Sequence, residues 1–589
     1  MSQNKFFYTG ERNAQILIAL LKEHKIKTVI ASPGTTNICF VASVQNDPYF
    51  QVYSAADERS AGYIACGLAA ESNKPVVISC TGATASRNYM PSLTEAYYRK
   101  LPILAVTSSR RSTYIGHNID QVTDRTLLPR DVAKISVQMP LVNDDESEWA
   151  CTIAANKALL ELNHHGYGPV HINLETDYSR DYSVKELPSV QEIYRFTFSD
   201  SLPKVKAQKI AILVGAHIKW TIELTELVEL FCEKYNGIVV CDQISNYKGK
   251  YRVFANFATQ QTNFKSEIKT ADLVIDIGCV TASKYGISPK EVWRVNPDGE
   301  LRDTYRKLHY VFEMEEVEFF KAYTSSYEKS EMTFWKACQS EQDYLSITLE
   351  KAANNLPFSN LWVASQVSSI LPENAVLHLG IQNSLRSWNF FDVPNSVLGY
   401  SNTGGFGIDG ALSATIGAAL ANQDKIYFCV LGDLAFFYDM NSLGNRHVGR
   451  NVRIILVNNG KGAEFKLTTN PGAMFGNDAD IYIAAGGHYG KKSKHLVKHY
   501  AEDLGFEYMS ASTKEEFSRA VNHFVSPNVL DKPIIFEIFT DSQDDVEALE
   551  MIRSAEIGPN TDSHNRAKDA IKSVLGEKGI KTVKSILRK

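Results

Sequence analysis

Residues 425–461 read KIYFCVLGDLAFFYDMNSLGNRHVGRNVRIILVNNGK, two apolar, β-branched runs with a helical pattern between them. The first run stops at Gly432-Asp433-Leu434 and the second at Asn458-Asn459-Gly460. Apolar runs of this length, closed by small polar residues, predict strands buried on both faces of a parallel sheet. The tips of both strands then lie on the carboxyl edge, where sheets of this kind bind ligands. Gly432 lets the backbone approach a phosphate beside the Asp433 carboxylate, and the second tip offers an amide oxygen and free backbone carbonyls. A carboxylate, an amide oxygen, a carbonyl, two phosphate oxygens and water make a hard, six-coordinate oxygen shell. Such a shell suits Mg²⁺ with a diphosphate.

The same alternation extends outward in both directions. Strands are expected over residues 27–31, 75–80, 103–107, 209–214, 237–241, 271–277, 425–431, 453–457 and 532–539, with helical spacing between, as over 11–23 and 60–70. Strands alternating with helices predict parallel α/β sheets covered on both faces. Polar, irregular segments near 180–205 and 325–355 divide the chain. The expected domains are 1–185, 190–345 and 352–558, followed by a charged helical tail over 559–589.

At 589 residues the chain is too long for one core. Its composition is that of a globular protein, 44% hydrophobic and 22% charged, with a mean hydropathy of −0.21. A net charge of −5 and a pI near 6.3 argue against nucleic acid or an anionic membrane surface as partner. No basic region followed by an apolar stretch opens the sequence, and no apolar run reaches membrane-spanning length. Nine scattered cysteines without a CxxC pair point to reduced thiols and a cytoplasmic protein.

GDLAFFYDMNSL followed by IILVNNGKG resembles the diphosphate–Mg²⁺ motif of thiamine-diphosphate (ThDP) enzymes, and is similar in particular to that of the SEPHCHC synthases of the menaquinone pathway. The resemblance implies Asp433 and Asn459 as side-chain ligands of Mg²⁺ and Lys461 as a carbonyl ligand, with Gly432 and Leu434 against the cofactor. SNTGGFGIDGALSATIGAA resembles a second family motif, placing Gly407 beside the cofactor and Ile408 as the apolar wedge that bends it. Asn383 and Ser384, in GIQNSL, match the family's NSL and would contact the diphosphate. Upstream, Ala56-Asp57-Glu58-Arg59 and the small-residue helix after it resemble the segment whose glutamate bonds N1′ of the cofactor's pyrimidine. By that likeness Glu58 shares a proton with N1′, which promotes loss of the thiazolium C2 proton. The fold implied is three doubly wound α/β domains: pyrimidine-binding, central and diphosphate-binding. Because the family builds each site from two subunits, at least a homodimer is implied, as a dimer or tetramer.

The chain departs from the SEPHCHC synthases where they place arginines. Thr36 stands for the arginine of SPGSR, Thr403 for that of SNR, Trp388 for one after NSL, and Tyr285 for that of a Lys-Arg pair whose Lys284 remains. Arg110 is kept, and Gln121 aligns with a substrate-loop glutamine. Each lost bidentate arginine removes a contact of roughly 1.5–3 kcal/mol, so a changed substrate is expected. Thr36, Arg110, Gln121, Lys284, Trp388 and Thr403 are the candidate substrate residues, and His117 and Glu464 join Glu58 as candidate catalytic groups. The activity expected is decarboxylation of a 2-oxo acid with transfer of the resulting acyl carbanion to an acceptor. A SEPHCHC synthase proper, a simple decarboxylase, an acetolactate-synthase-like enzyme and a non-catalytic ThDP-fold protein are the alternatives.

Overall fold

The computed structural model describes residues 7–555 except 282, 284 and 327; the charged tail lies outside these. Strands β1 (Thr28–Ala31), β2 (Gln51–Ser54), β3 (Val76–Thr81), β4 (Ile103–Ser109), β5 (Ser136–Met139) and β6 (Val170–Glu175) form a sheet of order β2-β1-β3-β4-β6-β5. Every pair in it is parallel. The middle strands are β7 (Tyr194–Thr197), β8 (Ile210–Val214), β9 (Gly237–Cys241), β10 (Arg252–Phe254), β11 (Leu273–Ile277), β12 (Glu291–Val295) and β13 (Leu308–Glu313). Then come β14 (Val376–Leu379), β15 (Leu398–Tyr400), β16 (Tyr427–Gly432), β17 (Val452–Asn458), β18 (Glu507–Ala511) and β19 (Ile534–Phe539), ordered β15-β14-β16-β17-β19-β18 and again all parallel.

The chain divides into two compact units, Met1–Leu202 with Val292–Glu313, and Pro203–Glu291 with Met314–Lys589. The middle strands run in the order β10-β9-β8-β11 within the second unit and β12-β13-β7 within the first. The chain is thus a three-sheet parallel α/β protein, as its alternation of strands and helices predicts.

Central strands are the ones easiest to read in the sequence, because helices on both faces demand unbroken apolar runs. β4 and β17 are buried at every residue. Edge strands carry no such demand. β2 is exposed at Gln51, Tyr53 and Ser54, and β7 and β18 are only partly covered. None of these three forms a continuous apolar run.

The strand order of the last sheet fixes where a ligand can enter. From β14 the chain moves outward to β15, then returns to the other side of β14 to form β16. The connections after β14 and β16 therefore leave on opposite faces and open a crevice at their carboxyl ends. Among the described residues no helix is long and apolar enough to cross a membrane.

Candidate functional site

A cavity of about 290 Å³ occupies this crevice. Its walls come from the segments that follow the strands: Gln382 to Ser384 after β14, Ile408 after β15, Gly432 to Leu434 after β16, and Asn459 to Phe465 after β17. Asp545 and Leu549, from the helix Ser542–Arg553 after β19, close it. Nine of the expected site residues, Asn383, Ser384, Ile408, Gly432, Asp433, Leu434, Asn459, Lys461 and Glu464, line this one space. Gly407 sits half-buried directly before Ile408. A β-carbon built on Gly432 meets nothing within 4 Å, so the backbone there faces open room.

The cavity holds two buried carboxylates. Asp433 is 6% exposed at the start of the helix Asp433–Asp439, where its Oδ1 accepts the Leu434 N–H at 2.9 Å. Burial pushes its carboxyl up to about 7, against the opposing hydrogen bonds from backbone N–H groups. Asp545 is likewise pushed up by burial, to about 6, although it accepts bonds from the Asn360 backbone at 2.7 Å, Asn459 Nδ2 at 2.8 Å and Thr540 Oγ1 at 3.1 Å. Both carboxyls are raised chiefly by burial, and they line the cavity wall with Asn459 as hard oxygen groups. Asp545 also fixes the direction of the Asn459 amide: it takes Nδ2, and Oδ1 faces away with the Lys461 N–H at 3.3 Å as its partner among the described residues. Nearby, Asn360 Oδ1 is buried without a hydrogen-bond partner among the described residues.

Glu464 stands on the turn Ala463–Lys466 with both oxygens bound by Arg386, at 2.5 and 3.2 Å. The Lys461 ammonium is directed elsewhere, to Asp480 at 2.7 Å, which leaves the backbone as that residue's contribution to the cavity.

The remaining expected residues are distributed differently. Glu58, His117, Arg110, Gln121 and Thr36 lie in the first unit. Glu58 begins the helix Glu58–Ser72, capped by Asp57, and its Oε2 receives Asn88 Nδ2 at 3.4 Å. His117 and Gln121 are exposed on the loop after β4, with Gln121 in the left-handed region at φ +59°. Arg110 is engaged by Asp120 at 3.1 Å and by the Tyr178 hydroxyl at 2.9 Å. The Thr36 hydroxyl is buried, donating to the Ser108 carbonyl at 2.6 Å and lying against the Thr81 hydroxyl. In the second unit Trp388 is fully buried, and Thr403 donates to the Val280 carbonyl at 2.9 Å. Neither Trp388 nor Thr403 lines the cavity. Lys284 lies outside the described residues.

The sequence reading overlooked Asp545, Asn360 and Gln382. Asp545 follows another aspartate in the first turn of a helix, a position that ordinarily reads as a solvated charge. Gln382 has φ +64°, unusual for a residue with a side chain, and precedes the helix Asn383–Trp388.

Residues 12–128 match the family model described as thiamine pyrophosphate enzyme, N-terminal TPP binding domain, and residues 382–538 match the corresponding C-terminal TPP binding domain. A 2-succinyl-5-enolpyruvyl-6-hydroxy-3-cyclohexene-1-carboxylate synthase of Bacteroides fragilis is 31% identical over 568 residues, covering 92% of this chain and 98% of that protein. The protein of the same name from Bacteroides thetaiotaomicron is 31% identical over 572 residues, with the same coverage of both chains. One from Cytophaga hutchinsonii is 26% identical over 558 residues, 91% of this chain and 97% of the other. With both binding domains matched and relatives aligned along nearly its whole length, the chain belongs to the thiamine pyrophosphate enzymes.

Proposed function

We propose that this enzyme uses ThDP with Mg²⁺ to decarboxylate a 2-oxo acid and to transfer the remaining acyl group to an acceptor. The observation that carries the reading is the convergence of Gly432, Asp433, Asn459 and Lys461 on one cavity at the crevice beside β14 and β16. The residues present fit the cofactor. Gly432 leaves backbone room for a diphosphate, and Asp433, Asn459 Oδ1 and the Lys461 carbonyl are hard oxygen donors for Mg²⁺. When bound, ThDP supplies an electron sink for the carbonyl carbon of the substrate.

The protein's part is placement and proton handling. Asn383 and Ser384 would contact the diphosphate, Ile408 would support the cofactor from its apolar side, and Glu58 would hold the pyrimidine proton. Glu464, which lines the cavity and is oriented by Arg386, would exchange a proton with the product or position the acceptor. His117 serves the same end from its exposed loop. The Glu58 site and the Asp433 site combine between two copies of the chain, so the working form is a homodimer or a higher oligomer. Exposed apolar side chains support this, among them Tyr63 and Ile64 on the Glu58 helix and Met474, Phe475 and Tyr482 after the Glu464 turn.

The identity with proteins named 2-succinyl-5-enolpyruvyl-6-hydroxy-3-cyclohexene-1-carboxylate synthase favours that same activity as a second reading. Against it stand Thr36, Trp388, Thr403 and Tyr285 in place of cationic groups, with the hydroxyls of Thr36 and Thr403 already bonded to backbone carbonyls. The deciding experiment supplies ThDP and Mg²⁺ and measures CO₂ release from a panel of 2-oxo acids, alone and with acceptors, reading product mass. Cofactor-dependent CO₂ release from a small 2-oxo acid supports the proposal. Efficient turnover of 2-oxoglutarate with isochorismate establishes the second reading instead, and no release from any acid refutes both.

A further inference from the structure

The turn after the helix Asp145–Glu161 places two consecutive imidazoles on one carboxylate. Neighbouring side chains normally diverge, but His165 has φ +49°, a left-handed backbone that β-carbon-bearing residues seldom adopt. Its ring returns to lie 3.9 Å from that of His164, with 34° between the planes. Both Nε2 atoms meet Glu313 at the end of β13: His164 is 2.9 Å from Oε2 and His165 is 3.0 Å from Oε1. The Glu313 side chain is only 10% exposed. All of these residues belong to the first unit.

We propose that His164, His165 and Glu313 form a binding site for a divalent transition metal of the Zn²⁺ class. The ligand atoms lie within 4.8 Å of one another. A tetrahedral ion with bonds near 2.0 Å holds its ligand atoms about 3.3 Å apart, and each imidazole already lies close to that spacing from one oxygen of Glu313, at 2.9 and 3.0 Å.

The hydrogen bonds around His164 are compatible with an ion at its Nε2. His164 Nδ1 lies 2.9 Å from Glu161 Oε1, so the ring sits between two carboxylates. A neutral imidazole has one N–H and can satisfy only one of them. A metal on Nε2 removes the conflict, since both rings stay neutral and Nδ1–H still donates to Glu161. That is the carboxylate–histidine–metal relay found around metal-bound histidines. Arg195, 3.0 Å from Glu161, fixes the outer carboxylate in turn.

Two imidazole nitrogens with one carboxylate select Zn²⁺, Co²⁺ or Ni²⁺ over Mg²⁺, whose preference is for oxygen alone. The site is thereby chemically distinct from the oxygen cage at Asp433. A cavity of about 520 Å³, lined by these three residues together with His24, Tyr194 and Arg195, leaves room for water or another ligand in the fourth position.

The test uses the full-length, tag-free protein, stripped with chelator and then saturated with Mg²⁺ and ThDP. Co²⁺ is titrated and followed by its visible absorption, and Zn²⁺ is titrated by calorimetry. One saturable equivalent is expected. His165→Asn should weaken it by at least 10-fold, and Glu313→Gln should do the same. Asparagine is chosen because it tolerates the left-handed backbone and His165 is largely exposed, so the fold is retained. Asp433→Asn should leave the affinity unchanged. Absence of saturable binding by the parent protein overturns the proposal, as does equal affinity in His165→Asn. Loss of binding in Asp433→Asn alone also overturns it, by assigning the ion to the other cage.

Discussion

Arg386 holds Glu464 through both carboxylate oxygens and reaches Asn383 Oδ1 at 2.9 Å with the same Nη1. One guanidinium therefore ties the segment after β14 to the turn after β17, across the cavity wall. The pair is about four-fifths covered on each side, which makes it a positioning contact more than a surface ion pair. Glu464→Gln should leave ThDP affinity unchanged and lower kcat by roughly 10²–10⁴, the contribution of a placed acid or base. Steady-state kinetics beside a cofactor titration separates the two effects. A variant with the parent kcat would remove Glu464 from the mechanism.

Glu58→Gln should fold and bind ThDP while losing nearly all of its ability to promote exchange of the cofactor's C2 proton, because an amide cannot share a proton with N1′. NMR of the bound cofactor after a deuterium pulse reads this directly. Exchange at the parent rate would show that another residue has this role.

Asp545 accepts Asn459 Nδ2 at 2.8 Å and so fixes the direction of that amide. Asp545→Ala should weaken Mg²⁺-dependent ThDP binding by about 10–100-fold, the usual cost of losing a residue that orients a metal ligand. Calorimetry with Mg²⁺ and with chelator distinguishes this from general damage, since only the Mg²⁺-dependent part of the affinity should change.

The buried carboxyls set a pH dependence of defined sign. Folding raises Asp433 from about 3.9 to about 7, through burial first. A raised acid contributes stability that is complete below its unfolded value and is lost as pH rises through its folded value. In Mg²⁺-free buffer, Asp433→Asn should therefore gain Tm relative to the parent as pH rises from 5 to 8. Protons also compete with the metal, so the parent's Mg²⁺ affinity should fall as pH drops below 7. A Tm difference that is flat over that range would contradict the assignment.

What could be read from the sequence follows from burial. The strands ending at Gly432 and Asn458 are covered on both faces, so their apolar runs and abrupt polar stops are unmistakable, and the cavity residues attached to them come with them. Asp545 could not be found in this way. It lies 86 residues beyond Asn459 in an acidic first turn, and only packing reveals that its side chain faces inward. Thr36 and Trp388 teach the complementary lesson. As departures from a family pattern they are plain in the sequence, but side-chain direction is set by packing, and the structure buries both. Arg110 was legible as a cation, while its engagement by Asp120 and Tyr178 depends on the turn of the loop that carries Asp120.

ThDP binding in the cavity at Gly432 should depend on a cation held by Asp433 and Asn459. The most direct test is a calorimetric titration of ThDP into the parent protein and Asp433→Ala, each with Mg²⁺ and with chelator. The parent should bind much more tightly with Mg²⁺, and Asp433→Ala should show the same weak binding in both buffers. Parent-like affinity and parent-like Mg²⁺ dependence in Asp433→Ala would place the cofactor's metal elsewhere and contradict the account.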